Sequence, residues 1–515
     1  LSFSPEQLQQ LADRGISAEE GHRQLGLLRE PPPPAALRRP CTVGDGIRRL
    51  DDAERGRLTQ RWLTSLEDES KPLQIEKFVP ASGAATRMFK SLHAARDAHA
   101  DGVDLRSAAE AGDSNARFAL NLFDRIGEMA LSGPLEEKLG KPIHELIDGG
   151  SHRDVLDTML NDSPGLALGA QPKGLLPFHL YPEGSRTALE EHMIEGIGYL
   201  GSERARFHFT VSPAHRRDFE QAARSASERL ATRGIELETS FSVQDPATDT
   251  IAIDDNGHPL IDGNERLVFR PAGHGALLHN LAQLEADLVF VKNIDNVMPE
   301  PKQADTIAWK RTLGGLALEM NQRLAAELEA LHQGERNVDR AWRFLSDQMA
   351  IEPPSGLHNE GEAEQREYLL DRLSRPLRVC GMVRNEGEPG GGPFWVEGAL
   401  GEVTPQVVES AQVDLSSSDQ ANTWNAATHF NPVDLVCCMR RPNGERFDFA
   451  EYCDDGASFV SSKSIEGQPI TVLERPGLWN GAMAGWNTLF VEVPITTFSP
   501  VKTILDLLKP EHLVG

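Results

Sequence analysis

Lysine is scarce in this chain of 515 residues: 12 stand against 40 arginines, so a lysine inside a motif carries weight. Cysteine is scarcer still, with five (Cys41, Cys380, Cys437, Cys438 and Cys453), odd in number and without CxxC spacing. That set fits free thiols in a reducing compartment and argues against a disulfide framework. No HExxH and no paired Cys/His cluster occurs, which removes the structural zinc classes. The apolar runs fall far short of the ~20 residues a membrane span needs. Leu1–Gln10 is polar and amphipathic, unlike the cationic start and apolar stretch of a signal peptide. A cytoplasmic location without membrane partners is the expectation. A basic excess is also missing. The 78 acidic residues outnumber the 52 basic ones, for a net charge of −26. Such a field repels polynucleotides and anionic membranes, so a phosphorylated ligand has to be small and has to find a local cationic pocket.

What is present is enough chain for two to four structural units by the usual domain size. Residues 1–75 show helical spacing, interrupted by the Pro31–Pro34 run, and read as a helical N-terminal extension. From 76 to 305, strand candidates at Ile75–Pro80, Phe207–Val211, Glu238–Val243, Arg266–Phe269 and Leu288–Val291 alternate with helical segments. A helical insertion is expected at 88–170. Strand–helix alternation predicts an α/β unit around a largely parallel sheet. Residues 306–375 read as a second helical insertion, and 376–515 as a strand-rich last part ending in a short helix at Thr503–Leu508.

Five segments carry possible chemistry. The strand ending at Pro80 runs into Ala81-Ser82-Gly83-Ala84-Ala85-Thr86-Arg87, and a helix follows. Small residues let backbone N–H groups approach phosphate oxygens, and Arg87 offers a fixed fork of donors. The spacing is not that of a Walker A loop. Next, Pro172-Lys173-Gly174 holds a lysine in a proline-restrained turn, and Pro500-Val501-Lys502 repeats the device near the end. Gly273-His274-Gly275 permits close backbone approach to a planar base or sugar. Finally, Asp295 follows an apolar strand at the place where open α/β sheets keep ligand chemistry, and can hold Mg²⁺ through a hard oxygen. Taken singly, each segment reads as a turn, a cap or a solvated lysine as readily as a ligand loop.

Their order is more specific than any one of them, and it resembles the sugar-nucleotide pyrophosphorylases, the UDP-sugar branch in particular. Ser82–Arg87 looks like that family's glycine-rich loop ending in Thr-Arg, and Pro172-Lys173 like its phosphate-binding Pro-Lys. Gln244 in FSVQDP resembles a base-reading glutamine, RPAGHGA the nucleotide loop PPGHGD, and Asn293-Ile294-Asp295-Asn296 the metal-bearing NxDN. Pro500–Leu508 reproduces PVKTxxDLL, and VTPQVVES brings Glu409 to the place of a sugar-contacting glutamate. The chain departs from the pattern as well. Ser82 and Ala85 stand where glycines are expected, Ala276 replaces an acidic residue, and 85 residues separate Arg87 from Lys173.

The resemblance implies a glycosyltransferase-A-like (Rossmann-like) α/β fold with a mixed, mostly parallel sheet. It implies a nucleotidyltransferase that condenses a nucleoside triphosphate, UTP favoured, with a sugar-1-phosphate-like acceptor, using Mg²⁺ or Mn²⁺. Catalytic positions are then Arg87, Lys173 and Lys502. Nucleotide contacts are Ala81, Ser82, Gly83, Ala84, Thr86, Gln244, Gly273, His274 and Gly275. Acceptor contacts are Glu409 and Asn431, and metal contacts Asp295 and Asp434. The alternatives are a catalytically altered nucleotide-binding regulatory protein, or a transferase using CTP, GTP or a non-sugar acceptor.

Overall fold

A computed structural model of the chain describes residues 3–70, 72–99, 104–162, 164–201, 204–254, 256–333, 338–387, 390–465 and 468–514. By density of internal contacts the chain divides into two compact units. One comprises Leu1–Glu76, Val243–Val291 and Lys310–Pro494; the other comprises Lys77–Ser242, Lys292–Trp309 and Ile495–Gly515.

In the second unit the strands Ile75–Pro80 (from Lys77 on), Arg204–Thr210 and Glu236–Ser242 lie parallel and in register, with Phe78 opposite His208 and Phe209 opposite Phe241. Parallel neighbours need a crossover, and helices supply it. Arg216–Ala231 returns the chain between the last two strands, burying Phe219, Ala223, Ala226 and Leu230 at spacings of four, three and four. Between Lys90 and Leu160 the chain forms six further helices among the described residues: Lys90–His99, Leu105–Glu110, Ser114–Phe123, Ser132–Leu139, Ile143–Asp148 and His152–Leu160.

In the first unit, strands run in the order Thr42–Val43, Gly46–Arg48, Asn487–Glu492, Leu377–Arg384, His429–Cys438, Leu288–Val291. The first three contacts are parallel and the last two antiparallel. Counted over the strand pairs within each unit, the pairing is mixed and mostly parallel. Leu288–Val291 is buried at every position, as a strand covered on both faces must be.

Residues 1–75 are not helical throughout. Leu37–Pro40, Thr42–Val43 and Gly46–Arg48 are short strands, and Leu37–Pro40 pairs with Gly392–Glu397, some 350 residues on in sequence. Local periodicity carries no trace of so distant a partner. The helices before them, Pro5–Asp13 and Ala18–Arg29, are capped by Ser4 and Ser17. They bury Leu11, Ile16, Leu25 and Leu28 against Ile251, Ile253 and Leu473 of a four-stranded antiparallel sheet. The expected strand Arg266–Phe269 shrinks to Phe269–Arg270 in that sheet. No described helix is long and apolar enough to cross a membrane.

Candidate functional site

The second unit gathers four of the singled-out segments. Pro80 ends its strand, and Ala81 extends the register by donating its amide to the Thr210 carbonyl (2.8 Å). The chain then leaves the sheet, with Ser82, Gly83 and Ala84 exposed and Ala85 buried. Although 85 residues intervene, this loop pairs directly with the Pro-Lys turn. Ala85 donates to the Gln171 carbonyl (2.9 Å), Lys173 donates its amide to the Gly83 carbonyl (3.3 Å), and Ala84 and Pro172 form an antiparallel bridge. The Thr86 hydroxyl donates to the Gly169 carbonyl, so this side chain closes the loop. Arg87 is exposed and makes no hydrogen bond or ion pair among the described residues.

Lys173 reaches from that turn to Asp295. Its Nζ lies 2.9 Å from Asp295 Oδ2 and 2.8 Å from the Val501 carbonyl. Lys502 Nζ lies 3.0 Å from the same Oδ2. The backbone seals the arrangement: Val501 donates its amide to the Asp295 carbonyl, Ser499 donates to Asn296 Oδ1, and Ile504 donates to the Met88 carbonyl next to Arg87. Gly174 sits where a Cβ would come within 2.7 Å of the Phe219 ring and 3.3 Å of Ile294, so the turn presses close to the Asp295 loop. Burial alone would push the Asp295 carboxyl up, but Lys502 and Lys173 pull it below the ordinary carboxylate range. The cluster of two ammonium groups and one carboxylate carries one net positive charge. Lys173 is largely covered, whereas the Lys502 side chain is 63% exposed, so a cation faces solvent inside an acidic protein.

The first unit holds the remaining candidates. Gly273 has φ +78°, a left-handed conformation that favours glycine, and a Cβ on Gly275 would lie 2.0 Å from the Pro476 carbonyl oxygen. His274, held between them, stacks on Trp479 with ring centroids 4.4 Å apart. Its Nδ1 accepts from the Leu478 amide (2.9 Å), which leaves the proton of the neutral ring on Nε2, 3.4 Å from Glu409 Oε1. The hydrogen bond from His274 is the main reason the Glu409 carboxyl sits below its usual range. Gln244 turns its amide to Thr248 Oγ1 and Asp249 Oδ1. Asn431 Oδ1 is buried without a hydrogen bond among the described residues, and a Cβ on Gly391 would lie 2.6 Å from it. A cavity of about 370 Å³ beside Gly391 is lined by Asn385, Phe394, Trp424, Asn425 and His429.

Asp434 does not join a metal site. It lies within the strand His429–Cys438, fully buried, with Lys310 Nζ 2.5 Å from Oδ1. A carboxylate sealed by an ammonium in a core has no open position for a cation. Among the described residues no group of three or more His, Cys, Asp or Glu side chains is placed to hold a metal ion.

Sequence reasoning passed over several groups at the site. Thr210 Oγ1 and Ser212 Oγ lie at the C-terminal end of the strand Arg204–Thr210, buried and without hydrogen bonds among the described residues. Their position past an apolar strand was a readable signal. Asn296 is another, its Oδ1 engaged by Ser499 and its Nδ2 buried and without a hydrogen bond among the described residues.

An exposed small-residue loop next to two lysines that converge on one aspartate is an arrangement chemically suited to an anionic ligand. The chain belongs to the family described as a domain of unknown function, DUF4301, whose model matches residues 4–513. No curated protein matches it. Among solved structures it is similar to a mutant UDP-glucose pyrophosphorylase from Leishmania major in complex with UDP-glucose, at 12% identity over 98% of this chain and 79% of that chain, TM-score 0.42. It is also similar to a protein from Entamoeba histolytica described as a UDP-N-acetylglucosamine pyrophosphorylase, at 10% identity over 91% and 85%, TM-score 0.40.

Proposed function

We propose that the chain is a nucleotidyltransferase that joins a nucleoside triphosphate, UTP preferred, to a sugar-1-phosphate-like acceptor. One observation carries the reading: Lys173 and Lys502, from segments 328 residues apart in their contact through Val501, converge on Asp295 beside the Ser82–Thr86 loop. The ordered motifs that resemble the UDP-sugar pyrophosphorylases support the same chemistry.

In this reading a phosphate oxygen of the acceptor attacks the α-phosphorus. The new P–O bond forms as the bond to the bridging oxygen breaks, and pyrophosphate leaves with the electron pair. No protein nucleophile is required, so catalysis rests on positioning and charge. Lys173 and Lys502 donate to oxygens whose charge grows in the transition state. Arg87 and the amides of Ser82, Gly83 and Ala84 hold the polyphosphate. Gln244, Gly273, His274 and Gly275 are assigned to base and ribose, and Glu409 and Asn431 to acceptor hydroxyls. The cavity beside Gly391 offers amides and an indole, groups suited to a sugar, within the usual size of a ligand pocket.

Asp295 fits one role in holding Mg²⁺ or Mn²⁺. Oδ2 serves the lysines, and no hydrogen bond reaches Oδ1 among the described residues. A single carboxylate oxygen, with substrate phosphates and water, is a donor set that Mg²⁺ accepts. The ion would neutralise phosphate charge. Asp434 has no part in this.

The test is a titration with UTP, with and without Mg²⁺, followed by a pyrophosphate-release assay over a panel of sugar 1-phosphates. Release is expected, with UTP the best of the four triphosphates. Saturable binding with no release from any acceptor would instead make the chain a nucleotide-binding protein.

A further inference from the structure

Lys502 is the least covered member of its cluster, so something must fix the segment that carries it. Two residues beyond the Asn296–Pro500 bridge, it depends on Ser499, Pro500 and Val501 staying on the Asp295–Asn296 loop. Ser499 is in turn gripped from behind. His512 folds back so that its Nε2 lies 2.9 Å from Ser499 Oγ and 3.1 Å from the Ser499 carbonyl. Its Nδ1 lies 3.0 Å from His179 Nε2, and His179 Nδ1 lies 3.0 Å from Glu191 Oε1. The two rings stack, and Glu191, His179, His512 and Ser499 are all buried.

The chemistry of these atoms fixes the direction of every bond. A carbonyl only accepts, so His512 Nε2 carries a proton. In a neutral ring His512 Nδ1 then accepts, and His179 Nε2 must donate to it. His179 Nδ1 is left as an acceptor facing a carboxyl oxygen, and that contact is satisfied only if a proton lies in it. Burial, reinforced by Arg186 and Lys302, holds His179 down to about 3. Burial, reinforced by His179, does the same for His512, to about 3, against the Ser499 hydrogen bond, Asp506 and Glu511. Burial pushes Glu191 up to about 8, against the Tyr181 hydroxyl and Arg186, with Glu300 and Glu195 adding to the rise. The rings are therefore neutral, and the proton belongs to Glu191.

We propose, on the basis of the nucleotidyltransferase reading, that Glu191, His179 and His512 are positioning residues for Lys502, forming a relay that is complete only while the Glu191–His179 contact holds one proton. Removing that proton breaks one link wherever the tautomers settle. If the rings keep their protons, a carboxylate faces a lone pair. If both rings flip toward Glu191, His512 Nε2 becomes an acceptor: the Ser499 hydroxyl can still donate to it, but the Ser499 carbonyl is left facing a lone pair, and the grip on the segment weakens. The relay is thus a device for loosening the segment that carries Lys502 at alkaline pH.

Hydrogen exchange at the Ser499 and Val501 amides reads this directly, with strand Arg204–Thr210 as the internal control for folding. In the wild-type chain, after correction for base catalysis, protection of these amides should fall by about tenfold per pH unit above 8. His512→Ala should lose at least about tenfold of that protection at pH 7. His512→Gln should regain most of it, since its amide can donate to Ser499 and accept from His179. Glu191→Gln keeps a donor toward His179 Nδ1 at every pH, so its alkaline fall should vanish. In pyrophosphate release, His512→Ala should lower kcat with little change in KM for UTP, and His512→Gln should restore it. Should His512→Ala fail to fold, the Glu191→Gln profile decides alone. Unchanged protection in folded His512→Ala, or a Glu191→Gln profile as alkali-sensitive as wild type, overturns the relay. An absence of turnover in every form, with the exchange pattern as described, would remove the nucleotidyltransferase reading and leave the relay standing.

Discussion

Two aspartates in this protein each face lysine, and their settings differ in nearly every other respect. Asp434 lies inside a strand, opposite Gly381 in the register, and pairs with one lysine at full burial. Asp295 lies past the end of a strand in a loop, and takes two lysines from two other loops, one of them mostly in water. The first is a closed pair that the fold keeps for itself. The second leaves cationic surface and one carboxylate oxygen for something else to use. Residue type is the same at both; only position along the strand separates a structural pair from a candidate site.

The comparison is broken most severely at Asp434. Asp434→Ala takes the carboxylate away from the buried Lys310 and should cost about 3–5 kcal/mol in denaturant unfolding, whereas Asp434→Leu with Lys310→Met should recover most of that. The cluster at Asp295 should respond in turnover. Lys173→Ala and Lys502→Ala should each lower pyrophosphate release by about 10²–10³-fold, the usual loss for a donor that serves the transition state. Stability should barely follow: Asp295→Asn should cost only about 1–2 kcal/mol at neutral pH, because Lys502 remains hydrated. The sign with pH is fixed. The folded carboxyl of Asp295 is held below its ordinary value, so its contribution is present above the unfolded pKa and is lost as pH falls through the folded one. The gap between wild type and Asp295→Asn in thermal unfolding should therefore close on acidification. The smallest effect is expected at His274→Gln, which keeps a donor toward Glu409 but loses the stack on Trp479, and should raise KM more than it lowers kcat.

Much of this was legible in the sequence, for reasons that also mark where legibility ends. Ile75–Pro80 and Leu288–Val291 are strands over the residues their apolar runs outline, and Val338–Met349 is the helix its period predicts. The segments around Arg87, Lys173, Asp295 and Lys502 were readable because proline, glycine and lysine in tight turns leave a local signature. The strands Leu37–Pro40 and Gly46–Arg48 were not, since their partners lie hundreds of residues away. Asp434 was misread as a metal contact because its partner, Lys310, comes from a distant helix and no local pattern announces it. The His179–His512 contact fails the same way: each is an isolated histidine until the chain brings them within 3.0 Å.

The central claim is that the two lysines on Asp295 stabilise charge at a reacting phosphate. Phosphorus NMR of a mixture of UTP, Mg²⁺ and a sugar 1-phosphate tests it most directly. With the wild-type chain, signals of a sugar-linked diphosphate and of free pyrophosphate should grow together at equal rates, and with Lys502→Ala both should slow by the same large factor. Equal growth with and without Lys502 would contradict the account.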